Sequence, residues 1–150
     1  MSDNNTRILF TDLDGTLLND KKEITPGNQA AVNEALAAGH KVVISTGRPL
    51  DSGMIIAQRA GLVREGCYVI AFNGGQIYDI YHKKTIFGKQ LPMNLAKSVF
   101  QEAVNRGLHI QSYSDTEVLV LEDSMEIKRY VKGTEMGYRV VKNLDEAVPV

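Results

Sequence analysis

The run Arg7-Ile8-Leu9-Phe10-Thr11, followed at once by Asp12-Leu13-Asp14-Gly15-Thr16, decides the reading of the chain. A short apolar run of this kind reads as a buried parallel strand. The carboxyl end of a parallel strand is where open α/β sheets hold ligands. At that place stand two carboxylates one residue apart, then a glycine that lets the backbone turn. One aspartate can attack phosphorus and form an aspartyl phosphate. The other can protonate the leaving oxygen and later deprotonate water. A hard cation such as Mg²⁺ would screen the repulsion between a carboxylate and a phosphate dianion. Taken alone, Asp-x-Asp-Gly reads equally well as a strand-end turn. It does not read as a calcium loop, because no run of oxygen ligands closing on a glutamate follows Asp14.

Working outward, Thr25 and Pro26 open a helix as its N-cap and first helical residue, and Gly39 ends it. Ala30, Ala31, Val32, Ala35 and Leu36 supply its apolar side. Residues 41–45 read as a second buried strand, 51–60 as a helix closed by Gly61, and 68–72 as a third buried strand. Alternating strands and helices predict an α/β domain with a parallel sheet and right-handed crossovers. After Asn73-Gly74-Gly75 the pattern changes. Residues 76–81 and 85–88 predict a hairpin around His82-Lys83-Lys84, and 93–106 a helix stopped at Gly107. Residues 108–113 and 117–121 predict a second hairpin, and 123–132 another helix. This half reads as α+β, which places a domain boundary near Lys89, between residues 1–88 and 89–150.

The other two parallel strands also end in polar, glycine-bearing loops. The second ends in Ser45-Thr46-Gly47-Arg48-Pro49, where a hydroxyl and nearby backbone N–H groups can bind phosphate oxygens. The third ends in Phe72-Asn73-Gly74-Gly75. Each loop alone is ordinary turn chemistry. Three of them at adjacent strand ends point to one site.

Together, Asp-Leu-Asp-Gly-Thr-Leu-Leu, Ser-Thr-Gly-Arg-Pro and Asn-Gly-Gly resemble the haloacid dehalogenase-like superfamily, in its Cof-type sugar-phosphatase branch. The resemblance covers residues 7–121. It implies a Rossmann-like parallel sheet carrying an inserted α+β cap. It also implies Mg²⁺-dependent hydrolysis of a small phosphorylated metabolite, such as a sugar phosphate. Asp12 would be the nucleophile and a metal ligand. Asp14 would be the general acid/base, with its backbone carbonyl on the metal. Thr46 would bind the phosphoryl group beside Gly47, and Arg48 and Asn73 would line the entrance. Residues 17–24 would form a flap hairpin, and residues from about 91 onward would begin the cap.

Two further motifs of that family do not occur here: a lysine after the cap and a Gly-Asp-x-x-x-Asp loop that completes the metal shell. Lys128, Lys132 and Lys142 fall in the cap-like part, and Asp123 and Asp145 do not follow a buried strand ending in Gly-Asp. The expectation is therefore an N-terminal part of such an enzyme, with an incomplete sheet and impaired catalysis. Its first strand becomes a sheet edge open to self-association. Two rivals stay open: a catalytically incompetent fragment that binds phosphate or a partner chain, and a phosphomutase-type phosphotransferase using the same two aspartates.

The whole chain agrees with an ordinary globular reading. It has 150 residues, 43% hydrophobic and 23% charged, with a formal net charge of -1. So balanced a charge gives no field favouring nucleic acid or a membrane surface. A single cysteine, Cys67, excludes an internal disulfide. His40, His82 and His109 lack metal-site spacing. No apolar run is long enough to span a bilayer, and the polar N-terminus has no signal-peptide core. A cytoplasmic protein is expected.

Overall fold

The computed structural model describes residues 5–148. The chain divides into two compact units, the first running to Lys89 and the second from Gln90.

The first unit is α/β. Its elements are β1 (Ile8–Thr11), α1 (Pro26–Ala37), β2 (Lys41–Ser45), α2 (Leu50–Arg59), β3 (Cys67–Ala71), β4 (Gln76–Asp79) and β5 (Lys84–Gly88). They build one five-stranded sheet in the order β1-β2-β3-β4-β5. β1, β2 and β3 are parallel, and β4 and β5 continue the sheet antiparallel. The sheet is thus mixed, because the hairpin adds to its edge. Thr25 caps α1 by accepting the Asn28 N–H at 3.2 Å, with Pro26 in the first turn, where its missing N–H leaves no helical bond unmade. The period of two along the strands sorts the core. Val42 and Ile44 of β2 and Cys67, Val69 and Ala71 of β3 pack with Val32 of α1 and Ile56 and Ala57 of α2. Cys67 is buried in this core, and burial pushes its thiol pKa up, so it is a packing residue.

Several expectations need correction. By composition β1 reads as buried, whereas Ile8, Leu9 and Phe10 are 55%, 44% and 59% exposed, as the edge strand expected from the resemblance would be. It pairs only with β2, so the apolar run lies at a sheet edge. The third strand starts and stops one residue earlier than its composition suggests, because Phe72 and Asn73 turn out of it with φ of 52° and 53°. Residues 17–24 form the small hairpin expected there, reduced to a single antiparallel bridge, with the Asn19 N–H donating to Glu23 O at 2.9 Å. Isolated bridges join Asp14 to Leu18 and Leu18 to Ile24, around buried Leu17 and Leu18.

The second unit contains α3 (Met93–Asn105), β6 (Gln111–Tyr113), β7 (Glu117–Val120), α4 (Met125–Thr134), β8 (Gly137–Val140) and α5 (Leu144–Ala147). β7 is central, antiparallel to β6 and parallel to β8. Its buried side chains alternate between two clusters. Leu119 packs with Phe100 of α3 and Ala147 of α5, and Val118 and Val120 pack with Ile127 of α4. α4 begins two residues later than its sequence suggests, because Ser124 takes the cap and accepts the Ile127 N–H at 3.4 Å. β8 and α5 are additions that the sequence pattern did not announce. Among the described residues no helix is long and apolar enough to cross a membrane.

Candidate active site

The strand register builds the site. Thr11 of β1 pairs with Ile44 of β2, and Ser45 of β2 pairs with Ile70 of β3. Three parallel strands in this register release their loops side by side at one edge of the sheet.

The first loop turns immediately after β1. Leu13 is fully buried and anchors it, while Asp12 and Asp14 on either side are exposed. The Leu17 N–H donates to the Asp12 carbonyl at 3.1 Å and the Leu18 N–H to the Leu13 carbonyl at 2.9 Å, which closes the loop. Gly15 lies inside it with φ of 76°, a conformation that costs glycine nothing and most residues about 1 kcal/mol.

The second and third loops are tied together. The buried Thr46 donates its N–H to Ile70 O at 2.9 Å. Its hydroxyl oxygen accepts the Arg48 N–H at 3.2 Å, which leaves the hydroxyl proton to donate elsewhere. The left-handed pair Phe72 and Asn73 aims two successive N–H groups back at this loop. They donate to the carbonyls of Arg48 at 3.0 Å and Thr46 at 3.3 Å. Gly47 lies so close to the Asn73 side chain that a Cβ there would stand 2.8 Å from its Oδ1.

Arg48 joins the second loop to the first. Its guanidinium grips Asp14 through two bonds, Nε to Oδ2 at 2.9 Å and Nη2 to Oδ1 at 2.8 Å. The third nitrogen, Nη1, donates to the fully buried Ser52 Oγ at 3.1 Å, so the fork is fixed from behind. Lys22, from the turn after the first motif, reaches the same Asp14 Oδ1 at 2.6 Å. The Arg48 hydrogen bond, helped by Lys22, holds the Asp14 carboxyl down at about 2, against a smaller opposing effect of burial.

Of the residues singled out in the sequence, the structure brings Asp14 and Arg48 into contact, and Thr46, Gly47 and Asn73 into a second connected group. Asp12 stands at the end of β1 beside them. Sequence reasoning missed Lys22 and Ser52. Ser52 lies four residues after Arg48, a spacing that lets the two meet where α2 begins. For Lys22 the only signal is the Lys21-Lys22 doublet between the first motif and α1.

The donor set suits a hard divalent cation. The Asp12 carboxylate and the Asp14 carbonyl are hard oxygens, whereas the Asp14 carboxylate is taken by two cations and the Asp12 carbonyl by an N–H. Among the described residues no group of three or more His, Cys, Asp or Glu is placed to hold a metal. Two protein oxygens match the habit of Mg²⁺, which keeps waters and binds substrate phosphate.

Comparison with known proteins finds similar sequences and a similar fold. A putative phosphatase of Streptococcus pyogenes is 33% identical over 124 residues, 83% of this chain and 45% of its own length. The putative phosphatase YxeH of Bacillus subtilis is 36% identical over 80 residues, 53% of this chain and 30% of its own. A crystal structure of a haloacid dehalogenase-like hydrolase from Bacteroides thetaiotaomicron superposes with a TM-score of 0.86 at 23% identity, over 97% of this chain and 55% of that one. The chain spans less than half the length of these two curated relatives. The family profile of the haloacid dehalogenase-like hydrolases matches residues 9–147, and with the strand-end loops arranged as above, the chain belongs to that family.

Proposed function

We propose that this chain carries the nucleophile half of a Mg²⁺-dependent phosphatase acting on a small phosphorylated metabolite, with sugar phosphates as the first class to test. The reading rests on one observation: three parallel strand ends place Asp12 and Asp14, Thr46 to Arg48, and Asn73 in one loop cluster. A carboxylate oxygen of Asp12 attacks phosphorus and the ester P–O bond breaks; Asp14, ionised while Arg48 and Lys22 hold it, first takes a proton from solvent and passes it to the departing oxygen. The ionised Asp14 then takes a proton from water, whose oxygen attacks the aspartyl phosphate, releasing phosphate and restoring Asp12. Thr46 donates its hydroxyl proton to a phosphoryl oxygen, and Arg48 aims the Asp14 carboxyl. The Asp12 carboxylate and the Asp14 carbonyl would hold Mg²⁺, whose positive charge would offset the negative charge of the phosphoryl group. The second unit is read as part of an α+β cap, as the resemblance implies. The lone buried Cys67 suits a reducing, cytoplasmic setting.

With two protein oxygens offered to Mg²⁺ among the described residues, slow turnover is the expected outcome. Phosphate release from a panel of sugar phosphates, with and without Mg²⁺, tests the reading. Slow release that needs both Mg²⁺ and Asp12, and disappears in Asp12→Asn, is expected. Release indifferent to Asp12→Asn overturns it.

A second reading is favoured by the exposure of Ile8, Leu9 and Phe10: β1 pairs with another chain through its open edge. Sedimentation of the purified chain decides this, and a clean monomer across the micromolar range removes it.

A further inference from the structure

We infer that Lys22 is a phosphate-binding residue of this site, an inference that rests on the phosphatase reading above. The loop cluster holds two carboxylates, Asp12 and Asp14, against two cations, Arg48 and Lys22. Without Lys22 the balance is net negative before any phosphate arrives, and a dianion meets repulsion. With it the cluster is neutral. The two cations differ in how they are held. Arg48 is fixed by Ser52 behind it, and its side chain is 10% exposed. The Lys22 side chain is 51% exposed, so its ammonium can leave Asp14 for an incoming anion while Arg48 stays.

The backbone beneath Lys22 is built rather than loose. Asn19 accepts the Lys21 N–H at 2.9 Å and the Glu23 N–H at 3.0 Å on its side-chain oxygen. Its carbonyl accepts the Lys22 N–H at 2.9 Å, and its own N–H donates to Glu23 O at 2.9 Å. Leu18 and Ile24 bridge beneath the turn, and the Asn28 side chain ties it to α1 through the Leu17 carbonyl at 3.0 Å. This frame keeps Lys22 at φ of 62°, a left-handed conformation uncommon outside glycine and asparagine. A fixed base under a long flexible stem is how a lysine serves as a mobile point charge. Lys22 therefore brings its ammonium from the turn onto a phosphoryl oxygen beside Asp14 and Thr46.

Binding of inorganic phosphate in the presence of Mg²⁺, measured by titration calorimetry on the full chain, tests this. Lys22→Gln should weaken phosphate binding about tenfold, the loss of one charge-assisted hydrogen bond. Lys22→Arg, which keeps the charge, should recover most of it. The Hε resonances of Lys22 should also shift on adding phosphate to the wild-type chain. Thr46→Val serves as the control for the site itself. If Thr46→Val weakens binding but Lys22→Gln leaves it unchanged, Lys22 is only a partner of Asp14, and the inference fails while the phosphatase reading stands. If neither substitution changes phosphate binding, or the wild-type chain binds none, the phosphate site itself is overturned. Unfolding midpoints of both Lys22 variants within a few degrees of wild type exclude a folding defect as the cause.

Discussion

Asp14 holds two cations, Lys22 and Arg48, on one carboxylate. Removing the larger of these influences should be visible directly. In Arg48→Ala the Asp14 carboxyl rises from about 2 toward its ordinary value of 3.8, as read from the pH titration of its carboxyl carbon by NMR. The sign for stability follows. A depressed carboxyl adds stability that is complete above its unfolded value and fades as pH falls through about 2. With the Asp14 side chain 41% exposed, solvent screens the pair, and the stability gap between wild type and Asp14→Asn at neutral pH stays within about 1 kcal/mol. Gly47 makes a sharper prediction. A methyl group there collides with Asn73 Oδ1 at 2.8 Å, so Gly47→Ala pushes the amide aside. The expected cost is about 1 kcal/mol in urea unfolding, with weaker phosphate binding because the Thr46 loop shifts with it. Asp12, Asp14, Thr46, Arg48 and Asn73 were all legible as site candidates, since strand-end loops carry polar groups for a reason. That Arg48 would grip Asp14 was not legible, because the bond spans 34 residues and depends on where two loops end up.

Among the elements, α1 and β2 follow their local signals closely. Thr25, Pro26 and the glycine at position 39 settle the helix ends through short-range hydrogen bonds. Thr25→Ala should cost about 1 kcal/mol, measured as a lower urea midpoint at unchanged slope, since only the cap is lost. Elements without such signals are not legible in the sequence. The Gly-Tyr-Arg-Val stretch of β8 is mostly exposed, and its strand character comes from pairing with β7 rather than from its own apolar pattern. α5 is four residues long, and one Asn143 cap, accepting the Glu146 N–H at 2.9 Å, defines it. β3 stops early because Phe72 and Asn73 are recruited to bond the second loop, a tertiary demand that overrides the strand preference of an aromatic residue.

At the scale of the molecule, each unit owns its core. The large cluster draws only on residues 13–80, and the two smaller ones only on residues 93–148. Between them residues 89–92 are exposed and lie outside regular structure. Limited trypsin digestion should therefore cut first after Lys89 and leave two stable fragments, 1–89 and 90–150, identified by mass. First cleavage inside α1 or α4 argues against that boundary. Among the described residues β1 has one neighbour in the sheet and three exposed apolar side chains.

The sequence by itself determined the family, the parallel strands with their helices, and the residue types at each strand end. Those features rest on short-range physics: the period of side chains along a strand, helix caps, and glycines where the backbone turns. The tertiary structure alone decided that the hairpin extends the same sheet and that Arg48 and Lys22 converge on Asp14. Each of those depends on which distant segments become neighbours, and a chain read in order carries no distance between positions far apart along it.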